Sequence, residues 1–232
     1  PTAVFLAAPY TEALFGAFAF PAWVAAREGR WAVAGVLTAL SCLVRVSGVF
    51  LAVALVVHWL VSRDGRRLRD VGWLALPAVT LGIWMLYLYR LTGDWLAWLN
   101  AQSEGWNREF TAPWTTFANT WDAAFGGTQR IEFAWMFRAE IVAMVIGVAL
   151  TVVLLARRRW GEATWVGLQV VALGTSYWYF SVPRALLLWW PLFVLMAVWA
   201  QRRRVVSWTY LAVSVPLAVM WAVAFLTGRW AG

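Results

Sequence analysis

The 232-residue chain is 63% hydrophobic, only 13% charged, and holds 20 tryptophans. Soluble domains are nearer half apolar and a quarter charged, so an ordinary soluble globule is excluded, as are disordered, collagen-like and disulfide-scaffold chains. The formal charge of +8 comes from 19 arginines with no lysine, while one cysteine (Cys42) and one histidine (His58) exclude an internal disulfide and a histidine-rich metal site.

A helix needs roughly 20 apolar residues to cross a bilayer. Eight candidate spans follow in order, at about 11–26, 31–44, 47–62, 71–91, 136–156, 163–180, 185–200 and 205–227. The first opens on Glu12, in Ala8-Pro9-Tyr10-Thr11-Glu12. The second and third are short and meet at Arg45-Val46-Ser47-Gly48, where Gly48 allows close backbone approach. His58 falls mid-span and, like Cys42, reads as packed core.

Residues 92–135 form the one long segment too polar to span. Thr92-Gly93-Asp94 offers a stop and an N-cap, after which Trp95, Trp98, Gln102 and Trp106 recur at helical spacing. A second stripe follows Pro113, with Trp114, Phe117, Trp121 and Phe125 at i, i+3, i+7 and i+11. Amphipathic helices with aromatic faces suit the headgroup layer, where an indole buries its ring and keeps its N–H wet. They serve there either as plain interfacial anchors or as a lid over an outward-facing lipid site. Beyond this segment, Glu140 enters the fifth span and Arg184 follows Pro183 between two apolar runs.

Arginine placement sets the orientation. The loops at 27–30, 62–70, 157–162 and 201–204 hold twelve of the 19 arginines against four acids, and the rest of the chain holds seven of each. That asymmetry, alternating correctly across eight spans, places these four loops in the cytoplasm. Residues 1–10, 44–47, 92–135, 181–184 and 228–232 then face outward. The charge therefore reports orientation, and no nucleic-acid partner is expected, since its arginines do not gather on one soluble face. The fold class is an all-α, polytopic integral membrane protein: about eight transmembrane helices in a single domain over 1–232, with the 92–135 loop carrying amphipathic helices outside. With residue 1 outside and no signal-peptide pattern ahead of it, a preceding segment is expected.

Ionisable groups in or beside apolar spans are costly and mark function. Arg45 and Arg184 with Glu12 gather towards the outer side. There two guanidiniums match an anionic lipid phosphate bidentately, unless Arg45 merely pairs with Glu12 or each side chain snorkels to water. No nucleotide-binding loop, zinc motif or nucleophile elbow is present.

Four stretches resemble the PIG-V-type mannosyltransferases in their bacterial, actinobacterial form. They are Phe5-Leu-Ala-Ala-Pro-Tyr-Thr-Glu-Ala-Leu-Phe15, the Arg45-x-x-Gly48 corner, the run from Thr92-Gly-Asp through Ala-Gln to Gly-Trp-x-Arg108, and Pro183-Arg-x-Leu through Pro-Leu-Phe193. Ser47 and Trp95 depart from that pattern. The resemblance implies a fold of the GT-C glycosyltransferase superfamily. It also implies an inverting transfer of mannose from a polyprenyl-phosphate-mannose donor to a glycan, lipid or protein acceptor on the extracytoplasmic face of the plasma membrane. No cofactor and no metal are implied. Carried over by position, Arg45 and Arg184 would bind donor phosphate; Tyr10, Glu12 and Gly48 would lie near the site; Asp94, Gln102 and Trp106 would contact acceptor or lipid. The catalytic base is an aspartate expected upstream of Pro1, so the catalytic residue itself is not assigned. Two other classes stay open. A transporter or lipid flippase would show interrupted helices in matching halves, and a non-catalytic membrane scaffold would present the aromatic loop to a partner.

Overall fold

The computed structural model describes residues 1–8, 10–62, 69–98, 100–101 and 110–229. Among these the chain is all-α. A short helix α1 (Val4–Ala7) precedes α2 (Glu12–Arg27), α3 (Trp31–Val44), α4 (Ser47–Val61) and α5 (Arg69–Thr92). After the loop come α6 (Pro113–Phe125), α7 (Ile131–Ala156), α8 (Trp160–Gly174), the one-turn α9 (Val182–Ala185), α10 (Trp190–Arg202) and α11 (Arg204–Leu226).

Among the described residues three helices are long and apolar enough to cross a membrane: α5 with 24 residues, α7 with 26 and α11 with 23. At 1.5 Å per residue each exceeds the roughly 30 Å of a hydrocarbon core. A fourth candidate is broken, because the segment Val182–Leu188 meets α10 at 69°. Pro183 opens one half and Pro191 the other, and each removes an amide that a continuous helix would use. The expected span at 185–200 is thus a bent pair. Helices α2, α3, α4 and α8 run 14 to 16 residues and are shorter than a full crossing.

Helix ends fall where backbone chemistry dictates. Gly29 at φ +72° and Arg158 at φ 54° close α2 and α7 in the left-handed conformation. In each case the next amide reaches back five residues, Arg30 N–H to Ala25 O at 2.8 Å and Arg159 N–H to Leu154 O at 2.9 Å. Helix α7 starts five residues before the expected span because Arg130 O accepts the amides of Phe133 and Ala134, with Glu132 in the first turn favouring the dipole. The expected span at 163–180 stops at Gly174 instead, since residues 175–181 form a loop strapped to α6 and α7.

The helices alternate in direction. At one end Trp23 of α2 and Trp31 of α3 flank His58 of α4, with ring centroids 5.2 Å and 6.1 Å away. Gly161 of α8 joins them: a Cβ there would lie 2.7 Å from the Trp23 ring and 3.0 Å from His58 Cβ. The arginine-bearing turns at 27–30 and 157–159 therefore share one end of the bundle. The start of α5 reaches the same end, where the Trp73 carbonyl fills the space a Cβ on Gly35 would need. Along the core, Phe15, Trp165 and Trp190 stack in sequence, with centroids 6.0 Å and 5.0 Å apart. The Trp165 indole donates to Leu188 O at 3.2 Å, which satisfies its one donor in a site with no water access. Cys42 is buried in the core, as expected, whereas His58 is half-buried and sits in the last turn of α4, not mid-span.

Helix α6 has the orientation of an interfacial helix. Its small and hydroxyl face, Thr116, Thr120, Ala123 and Ala124, is buried. The aromatic stripe points away from the protein, with Trp114 75%, Trp121 51% and Phe125 51% exposed. A soluble helix would do the reverse.

Candidate functional site

The end of the bundle opposite the arginine-rich turns holds a buried ion cluster. Glu12, first residue of α2, is fully buried. Its Oε1 accepts from Arg45 Nη1 at 2.6 Å and from Arg184 at Nη2 (2.6 Å) and Nε (3.1 Å). Arg45 also donates to the Thr11 hydroxyl at 2.9 Å. The Arg184 guanidinium lies over two aromatic faces, 4.7 Å from the Phe5 centroid and 4.5 Å from that of Tyr10. Those rings pack edge-to-face with each other and with Phe225 at the end of α11. Among the described residues the cluster sets two guanidiniums against the one carboxylate of Glu12. Glu12 Oε2 is buried with no hydrogen-bond partner among the described residues.

Each arginine is aimed by local backbone geometry. Arg45 adopts φ −150°, ψ 149°, which ends α3 and turns the chain into α4. The corner is tight enough that a Cβ on Gly48 would fall 2.5 Å from Cys42 Cα and N, so only glycine fits there. Arg184 rides on α9. Ser181 precedes that turn at φ 66°, a left-handed conformation costly for a residue with a Cβ. Glu140 of α7 holds the turn in place, accepting the Ser181 amide at 2.9 Å and the Val182 amide at 2.7 Å. Thr2 adds a bond from its hydroxyl to Pro183 O at 2.9 Å.

The preceding loop is fixed from α6. Thr116 donates to Ser176 O at 2.6 Å, Asn119 to Tyr177 O at 3.0 Å, and the Tyr179 amide donates to Thr120 Oγ1 at 2.9 Å. These polar residues received no role from sequence reasoning. Helical spacing did carry the signal, because Thr116, Thr120 and Ala123 line the face opposite the aromatic stripe. Glu140 stands out in the sequence as a charge inside an apolar run, and in the structure it caps the Arg184 turn.

Of the residues expected at a site, the structure brings together Tyr10, Glu12, Arg45 and Arg184, with Gly48 shaping the corner behind Arg45. Asp94 lies in its own turn, where it accepts from the Leu96 amide and from Asn100 Nδ2, both at 2.8 Å. Gln102 and Trp106 lie outside the described residues. Among the described residues no group of three or more His, Cys, Asp or Glu side chains is placed to hold a metal.

Chemically, the cluster can bind one anionic oxygen group beside aromatic faces. Among the described residues both carboxylates at this end are engaged, Glu12 by the two arginines and Glu140 by two amides. Comparison of the chain with protein-family models, curated proteins and solved structures finds no match.

Proposed function

We propose that the chain carries the donor-phosphate site of a membrane mannosyltransferase, which takes mannose from a polyprenyl-phosphate carrier on the extracytoplasmic side of the plasma membrane. The observation that carries this reading is the convergence of Arg45 and Arg184, from distant parts of the chain, on one carboxylate at one end of an apolar helical bundle. A leaving phosphate needs cationic groups already in position, and guanidiniums fixed by a buried partner are preorganised for that task. The orphan Oε2 of Glu12 would accept from a donor-sugar hydroxyl. The arginine-rich turns at the other end support the outward orientation, and short α2, α3, α4 and α8 would complete an eight-span bundle by packing between the long helices. Asp94, with Gln102 and Trp106, would line the acceptor or lipid approach.

The test is sugar transfer from polyprenyl-phosphate-mannose in membranes carrying the protein. Arg45→Ala and Arg184→Ala should each cut the rate by about 100-fold, the scale of losing one charge-stabilising donor. Wild-type rates in folded variants would end this reading.

One observation favours a second reading, transporter or lipid flippase. The bent pair at 182–202 and the α3–α4 corner are two interrupted apolar segments, one in each half, and each carries an arginine of the cluster. Movement of a labelled polyprenyl-phosphate lipid across proteoliposomes, without sugar transfer, would select it.

A further inference from the structure

At the bundle end opposite Glu12, a groove of about 460 Å³ opens between the α2–α3 turn and the start of α5. Arg30, Trp31 and Val33 line one wall, and Arg69, Asp70 and Trp73 the other. Arg30 and Arg69 are exposed; Arg30 makes one ion pair, to Glu28 at 3.1 Å, with both partners more than half exposed. Such a pair is weak and readily exchanged for a better anion. Asp70 is buried, so the exposed charged side chains among the lining residues are the two arginines. Its walls are fixed, because the backbone of Trp73 sits directly on Gly35. The first turn of α3, which faces the groove, has no side-chain cap.

The chemistry changes along α3. Val33, Val36 and Leu40 are all exposed at i, i+3 and i+7, giving an apolar track that starts in the groove and runs up the bundle. Trp73, 43% exposed, stands at the rim, a position suited to the headgroup boundary. A groove with an arginine on each wall and an apolar track leading away from it matches one kind of molecule: a phosphate headgroup with an attached chain.

We infer that this groove is a binding site for an anionic phospholipid, its phosphate held by Arg30 and Arg69 and an acyl chain lying along Val33, Val36 and Leu40. Arginines that only fix orientation need no cavity and no adjoining apolar track. The inference rests on the membrane reading of the chain and is independent of the sugar-transfer chemistry, so either can fail alone.

The full chain, purified in a neutral detergent, is titrated with phosphatidylglycerol or phosphatidylcholine and bound lipid is counted by native mass spectrometry. Wild type should prefer phosphatidylglycerol by about 10-fold, as expected from two arginines at an anionic headgroup. The double variant Arg30→Gln/Arg69→Gln should lose that preference while binding phosphatidylcholine as before, and Arg30→Lys/Arg69→Lys should keep most of it. No preference in the wild type overturns the inference whatever the variants do. A preference that survives the glutamine pair assigns it to other basic residues and also overturns it. Glycerol phosphate competing as well as the lipid would make the site a free-phosphate site and refute the lipid assignment.

Discussion

Arg45 and Arg184 donate to the same oxygen, Oε1 of Glu12, each at 2.6 Å. Like charges approach this closely only with a shared counter-ion between them, so the carboxylate is what permits the pair. Its removal should cost more than a single contact, because two partly buried cations then lose the carboxylate that lies between them. Glu12→Ala should lower unfolding free energy by about 3 kcal/mol, read from denaturation in detergent micelles. Arg184→Ala should cost more than Arg45→Ala, since the Arg184 side chain is 11% exposed against 24% and also covers two rings. The opposite ranking would refute this view of the cluster.

Glu140 makes a separate prediction because it acts on backbone. Its two oxygens serve two amides of a turn that Ser181 enters in the left-handed region. In Glu140→Gln one oxygen becomes an NH₂ group that cannot accept, leaving a buried amide unpaired at a cost of about 2 kcal/mol. Ser181→Gly should move the other way, stabilising by about 1 kcal/mol through relief of the left-handed strain. Loss of stability in Ser181→Gly would mean the serine side chain contributes more than its backbone conformation costs.

Much of the fold was legible where one-dimensional signals suffice. The apolar runs at 31–44 and 47–62 became α3 and α4 almost to the residue, and the 3.6-residue spacing of Trp114, Phe117, Trp121 and Phe125 became α6. The breaks at 175–181 and 189 were not legible. An apolar run of tryptophan, leucine and valine looks continuous until tertiary partners compete for its amides, and Glu140 and Thr120 are such partners. The site was legible as charge out of place: Glu12, Arg45 and Arg184 stand out in hydrophobic surroundings. Their mutual geometry depends on the Gly48 corner and the Ser181 turn, which spacing alone does not specify.

The glycines divide into two sets with opposite expected effects. Gly48 lies against the backbone of Cys42, whereas Gly72 and Gly82 in α5 have nothing within 4 Å of where a Cβ would stand. Gly48→Ala should force α3 and α4 apart at the Arg45 corner and cost about 2 kcal/mol, the range of overpacked cores. Gly72→Ala and Gly82→Ala should each stabilise by roughly 0.5–1 kcal/mol, since helical glycine mainly loses entropy. Thermal unfolding of the three variants side by side checks both signs, and a stabilising Gly48→Ala would refute the tight corner.

Orientation can be tested on a background in which the buried thiol is removed, Cys42→Ala. Glu28, Arg157 and Thr128 are exposed residues between helices with no need for glycine-only backbone, so single cysteines there should report access, removing only the exposed contacts of Glu28 with Arg30 and of Thr128 with Asp122. The helix packing requires 28 and 157 to lie on one side, because Trp23 and Gly161 meet just inside those turns. The orientation proposed from the arginine distribution puts that side in the cytoplasm. A membrane-impermeant maleimide on intact cells should therefore label Thr128→Cys and spare Glu28→Cys and Arg157→Cys until the membrane is opened. Different behaviour of 28 and 157 would contradict the alternating bundle itself. Labelling of both from outside would keep the bundle and invert it. The Glu12 cluster would then face the cytoplasm, and a transfer reaction on the extracytoplasmic side would have no arginines at its donor phosphate.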